Sequence, residues 1–214
     1  MKFDQNDYVM RPADLVGGLL VKIEGFDQKA NNTIWTLLVK KALKELADTV
    51  DRSRFGQVEQ IATNKEEQTR EFLLDAVWWR RKKEGRNEEM ALAVECEWGA
   101  KDPHKPGNRT IEEVVSMVEQ DFDKLLVVKC PLKLMIFCTD KAGTGDYEGM
   151  RVAVVEKMEA YLSQYAHHIE GECYLFVDVA ATGERKVWHW IAEASGHQPV
   201  RLSEGAPEDR YSHE

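Results

Sequence analysis

Residues 72–80, FLLDAVWWR, and residues 90–98, MALAVECEW, are two apolar segments on either side of a charged turn, and both carry acids in their middles: Asp75 in the first, Glu95 and Glu97 in the second. Short apolar runs bounded by turn residues read as strands, and the turn KKEGRNEE at 82–89 joins them as a hairpin. Side chains alternate along a strand, so Glu95 and Glu97 share one face while Val94, Cys96 and Trp98 share the other. A hairpin symmetric about Gly85 sets Asp75 opposite Glu95. Opposed side chains in an antiparallel ladder have Cβ atoms about 4.5–5.5 Å apart, where like charges repel. Something must offset that repulsion and the cost of taking carboxylates out of water. A hard divalent cation does both, since magnesium takes carboxylate oxygens at about 2.0–2.1 Å and keeps several waters. The other reading is that this face is open to solvent and the three acids are ordinary polar members of alternating strands. The residues alone leave both open.

Working outward, FGQVEQIATN at 55–64 adds a short strand before the pair, so a meander of three strands is expected. Ahead of it, Thr33–Val50 carries an apolar stripe of 3.6-residue period through Trp35, Val39, Leu46 and Val50, and reads as a helix. Residues 1–32 are weakly patterned, with LLVKIEGF at 19–26 read as a short strand or hairpin. After the hairpin, Thr110 and Glu113 form a capping box that starts a helix with core positions Ile111, Val114, Val115, Val118, Phe122, Leu125 and Leu126. LKLMIFCT at 132–139 is a continuous apolar strand of the kind covered on both faces. A helix over Tyr147–His168 follows, then a hairpin of GECYLFVDVA and RKVWHWIAE, and residues 201–214 read as a disordered tail behind a single domain at 1–200. A long helix between two consecutive strands makes those strands parallel, whereas the meander is antiparallel. The fold class expected is therefore α/β, a mixed central sheet with helices on both faces.

Composition narrows the function. The 214 residues are 43% hydrophobic with a formal net charge of −9, which disfavours bulk coating of nucleic acid, because that affinity comes from cationic side chains releasing counterions. Local basic patches remain beside the two acid-bearing strands: Arg80, Arg81 and Lys82 in RRKK, and Lys101, His104, Lys105 and Arg109 in KDPHKPGNR. They are read either as contacts to a polyanion or as solvated loop charges. No apolar run approaches the roughly 20 residues of a membrane span. Four cysteines, Cys96, Cys130, Cys138 and Cys173, lie in apolar surroundings without CxxC spacing, which fits buried thiols in a reducing cytoplasm. There is no Walker loop, GxGxxG, HExxH or nucleophile elbow; KAGTGDYEG at 141–149 lacks the closing Lys-Ser/Thr of a P-loop. His167, His168 and His189 carry no ligand spacing.

Asp75, followed twenty residues on by Glu95-Cys96-Glu97 in an apolar strand and then by a helix and another apolar strand, resembles the PD-(D/E)xK nuclease superfamily, the restriction-endonuclease-like fold, over roughly Ile34 to Cys138. The resemblance implies a restriction-endonuclease-like core with an extra C-terminal hairpin, acting as a metal-dependent nuclease on nucleic acid, DNA first. It implies Asp75 and Glu95 as magnesium or manganese ligands, with the backbone carbonyl of Cys96 as a further one. The chain departs from the family at Glu97, where lysine is usual. Some members use ExE and others move the lysine to the next helix, where Lys124 in DFDKLLVV stands off the core stripe with Met117 and Asp121. Lys124 is equally readable as a surface lysine paired with Asp121.

Many members also carry an acid on the first helix, for which Glu45 is best placed and Glu59 is second. The chemistry implied is hydrolysis of a phosphodiester, with Glu97 or Lys124 positioning or activating the water. Arg80, Arg81, Lys82, Lys101, Lys105 and Arg109 would hold the backbone, and Trp78, Trp79 or Trp98 would stack bases or simply pack in the core. The alternative is a noncatalytic member of the same fold that binds a protein or nucleic-acid partner, and a homodimer is left open.

Overall fold

Seven strands lie in chain order in one mixed sheet: β1 Gln57–Ala62, β2 Ala76–Arg81, β3 Glu88–Glu97, β4 Leu132–Phe137, β5 Cys173–Val179, β6 Arg185–Ile191 and β7 Ser203–Glu204. The computed structural model describes residues 1–4, 6–24, 32–62, 74–81, 88–99, 109–139, 146–180, 184–193, 199–205 and 207. β3, β4 and β5 run parallel, and every other neighbouring pair is antiparallel. The expected α/β class, a mixed sheet with an antiparallel meander leading into parallel strands, is the observed one.

The helices divide between the two faces. α1 Pro12–Lys22 and α2 Asn32–Ala47 cover one, meeting Trp78, Leu92, Val94, Cys96, Leu134 and Leu175 of the sheet. α4 Ile111–Val127 and α5 Tyr147–Gln164 cover the other, meeting Val77, Ala93, Met135, Phe137, Tyr174 and Phe176. β4 is accordingly buried along its whole length. A short α3 at Arg52–Phe55, capped by Asp51 through the Ser53 and Arg54 amides, turns the chain from α2 into β1. α4 begins with the expected capping box, in which Thr110 accepts from the Glu113 amide and Glu113 accepts from the Thr110 amide.

Three sequence expectations change. Within 19–26 the described residues are not a strand: Leu15, Val16, Leu19 and Ile23 are the buried stripe of a helix that starts at Pro12, whose fixed φ suits the first turn, and 25 and 26 lie outside the described residues. Gly18 lets that helix approach α2, since a Cβ there would come within 2.6 Å of Leu46 Cδ2. α5 stops at Gln164, so His168 lies beyond it, in a turn packed against Tyr174 and Trp190. Within the expected tail at 201–214, Ser203 and Glu204 pair with His189 and Trp188 as β7, and 206 and 208–214 lie outside the described residues. All four cysteines are buried and free. No helix among the described residues is long and apolar enough to cross a membrane.

Candidate functional site

The site lies where the start of β2 meets the end of β3. Ala76, Val77 and Trp78 pair with Val94, Ala93 and Leu92, the register expected from a hairpin centred on Gly85; a bulge between Trp78 and Trp79 shifts it by one nearer the turn. Continued one residue outward, that register sets Asp75 opposite Glu95. Asp75 itself stands on a bend before β2 and closes the ladder with its side chain, Oδ2 accepting from the Cys96 amide at 3.0 Å. Its Oδ1 lies 3.3 Å from Nζ of Lys40 on α2.

The N–H and C=O of one strand residue point to the same side of the strand. The Cys96 carbonyl is therefore directed to the side on which Asp75 stands. The next carbonyl, of Glu97, points the other way and accepts from the Cys138 amide at 3.1 Å.

Glu95 is only 2% exposed, on the face covered by α4. From that helix Lys124 Nζ reaches Glu95 Oε2 at 3.4 Å and Asp121 Oδ1 at 2.7 Å, so it is paired with Asp121 and also within reach of Glu95. Glu95 Oε1 is buried without a hydrogen-bond partner. Burial, and then the Asp75 charge, push the Glu95 carboxyl up to about 9 against the pull of Lys124. Burial disfavours charge on Lys124 too, but Asp121 and Glu95 outweigh it and raise the ammonium above its ordinary value.

Glu97 is half-buried, and its Oε1 accepts from the Gly99 amide at 2.7 Å. Burial raises its carboxyl, while the Gly99 amide and Arg109 act in the opposite direction. Gly99 takes φ 57°, and a Cβ there would sit 2.8 Å from the Cys138 carbonyl oxygen, so this turn requires glycine.

The remaining named residues separate into those near this cluster and those away from it. Arg109 is near Glu97. Arg80 and Arg81 are not near Asp75: five and six positions along the chain at about 3.3 Å each put them roughly 17 and 20 Å away. Arg80 is paired with Glu89, and Arg81 lies 3.3 Å from Glu59. Lys82, Lys101, His104 and Lys105 lie outside the described residues, as do 141–145 of the glycine-bearing loop.

Glu45 lies on α2 facing α1, 2.7 Å from Lys22, and Glu59 lies on β1, 3.3 Å from Arg81. Trp78 is fully buried and donates to Gln60 Oε1 at 3.1 Å. Trp98 is buried against Trp35 and donates to Thr36 Oγ1 at 2.8 Å. These two tryptophans are core, not stacking platforms. Lys40 was not anticipated, although Leu43 and Ala47, three and seven residues on, mark a buried face that includes it.

Compared with protein-family models and with curated proteins of known sequence, the chain matches none.

Among the described residues no group of three or more His, Cys, Asp or Glu side chains stands close enough to hold a metal ion. Magnesium does not require such a cage, because it is commonly held by one or two carboxylates with water and substrate oxygens completing the shell. Asp75 and Glu95 are two carboxylates close enough for the charge of one to act on the other. The orphaned buried Oε1 of Glu95 is the kind of donor a cation would satisfy.

Proposed function

We propose that the Glu95 cluster is a magnesium- or manganese-dependent phosphodiesterase site acting on nucleic acid. One observation carries the reading: Glu95 buries a carboxylate oxygen with no partner, beside a second carboxylate and within reach of a lysine. Three antiparallel strands after α2, then α4 and a parallel strand, support it as the element order the resemblance implies. Asp75 and Glu95, with the Cys96 carbonyl, are the residues that would hold the cation. A bound cation supplies Lewis-acid polarisation of the scissile phosphate and lowers the pKa of its water.

The chain's own groups do the rest. Lys124, oriented by Asp121, places a fixed positive charge where negative charge builds on the phosphoryl oxygens. Glu97 is held through Oε1 by Gly99 and presents Oε2 to accept the proton of the attacking water. Arg109, close to Glu97, binds the phosphate backbone on the substrate side.

A second reading, a noncatalytic domain that binds a protein or nucleic-acid partner, is favoured by one observation: Lys40 and Lys124 already lie on Asp75 and Glu95. Incubating the chain with supercoiled DNA and with single-stranded RNA, in magnesium and in manganese, separates the two. The nuclease reading expects cleavage that falls by roughly a hundredfold or more in Glu95→Gln. Cleavage unchanged by that substitution refutes it, and no cleavage of either substrate with either metal leaves the binding reading.

A further inference from the structure

We infer that Lys40 takes the place a second divalent cation would occupy, so that the cluster holds one cation, at Glu95 Oε1 and Asp75, and not two. The inference rests on the metal-dependent reading above and adds the number of ions and the residue that sets it.

Lys40 is fixed in place. Its side chain is 13% exposed and directed at Asp75 Oδ1, its own carbonyl accepts from Gln60 Nε2 of β1 at 2.8 Å, and one turn earlier Thr36 is tied to Trp98 of the segment that follows β3. Asp75 is thereby engaged on both oxygens, Oδ2 by the Cys96 amide and Oδ1 by an ammonium. The donor left without a partner is Glu95 Oε1, on the α4 side. On the α2 side a second cation would meet an ammonium at Asp75 Oδ1: among the described residues Glu45 of α2 lies 2.7 Å from Lys22, Glu59 of β1 lies 3.3 Å from Arg81, and Lys40 stands at the position that reaches Asp75.

Charge leads to the same count. With Glu95 ionised, as a cation on it requires, the described residues around the site present four carboxylates, Asp75, Glu95, Glu97 and Asp121, against three cationic side chains, Lys40, Lys124 and Arg109, a balance of minus one. One divalent cation brings that to plus one, which matches a single phosphodiester anion. Two would bring it to plus three in a partly buried site, where uncompensated charge is costly.

The test is manganese binding to the full chain, by calorimetry and by paramagnetic resonance of the bound ion. The expected wild-type result is one ion per chain. Lys40→Met keeps the apolar stem and removes the charge; it is expected to hold the single ion at least about tenfold more tightly, because the nearby ammonium no longer opposes it. Lys40→Glu is expected to bind a second ion. Two ions in the wild type, or affinity unchanged in Lys40→Met, overturns the inference while leaving the metal-dependent reading intact. No ion at all in the wild type overturns that reading, and the inference with it.

Discussion

Two carboxylates on the same face of the sheet are buried to the same 2% exposure, and their surroundings treat them oppositely. Glu172 is saturated: Oε1 lies 2.9 Å from Lys133 Nζ, and Oε2 accepts from the Tyr174 hydroxyl at 3.0 Å. That hydroxyl in turn accepts from Lys133 at 2.8 Å and contacts His168 Nδ1 at 3.1 Å. Burial works to raise the Glu172 carboxyl, yet His168 and Lys133 hold it below its ordinary value. Glu95 has one long contact to a half-exposed lysine, an acid for a neighbour and an orphaned oxygen, and its carboxyl rises to about 9. Burial is common to both, so partner saturation is what differs. A saturated buried carboxylate is part of the fold; an unsaturated one beside a second acid is the one for which a ligand is proposed above.

The largest expected effect breaks the saturated cluster. Lys133→Ala removes the ammonium from buried Glu172, leaving it Tyr174 and His168, and should cost about 3–5 kcal/mol in urea denaturation; a loss under about 1 kcal/mol would show that the saturation does not stabilise the fold.

Next is the pH dependence of Glu95. Its folded value of about 9 lies above the ordinary 4.5, so between those values the folded chain binds the extra proton. The stability this contributes is full below the lower value and is lost as pH rises through the upper one. Glu95→Gln is neutral at every pH and removes the slope. In chelator, wild-type stability should therefore fall relative to Glu95→Gln by a few kcal/mol from about pH 5 to about pH 9, and a difference that rises with pH contradicts the assignment.

Tyr174→Phe deletes the hydroxyl that joins Lys133, Glu172 and His168, and should cost about 1–2 kcal/mol by the same denaturation. The smallest effect sharpens the contrast: Lys124→Met removes a half-exposed partner and should change stability by under about 1 kcal/mol, while lowering nucleic-acid cleavage.

Much of this was legible in the sequence because it depends on period. Alternation placed Glu95 and Glu97 on one face, hairpin symmetry placed Asp75 opposite Glu95, and helical angles left Lys124 off the core stripe, free to reach Glu95. What was not legible depends on tertiary approach. Lys40 reads as one of two adjacent lysines on an amphipathic helix, and its partner Asp75 is thirty-five residues away across a strand. The α1 helix was obscured by Gly17 and Gly18, which look like breakers until Gly18 is seen to make room for Leu46. Lys133 was hidden inside an apolar strand, and the acid that accompanies it, Glu172, arrives only through the parallel β4–β5 pairing. The distance of Arg80 and Arg81 from Asp75 has a simpler reason: residues that follow along a strand are carried away from it by the strand's rise.

The central claim is that the Glu95 cluster is a cation site. Thermal unfolding of wild type and Glu95→Gln, each with a chelator and with manganese in the millimolar range, tests it directly, because a ligand bound only by the folded chain raises the midpoint. A midpoint raised by manganese in the wild type and unmoved in Glu95→Gln is the result expected. No shift in the wild type, or an equal shift in both proteins, would contradict it.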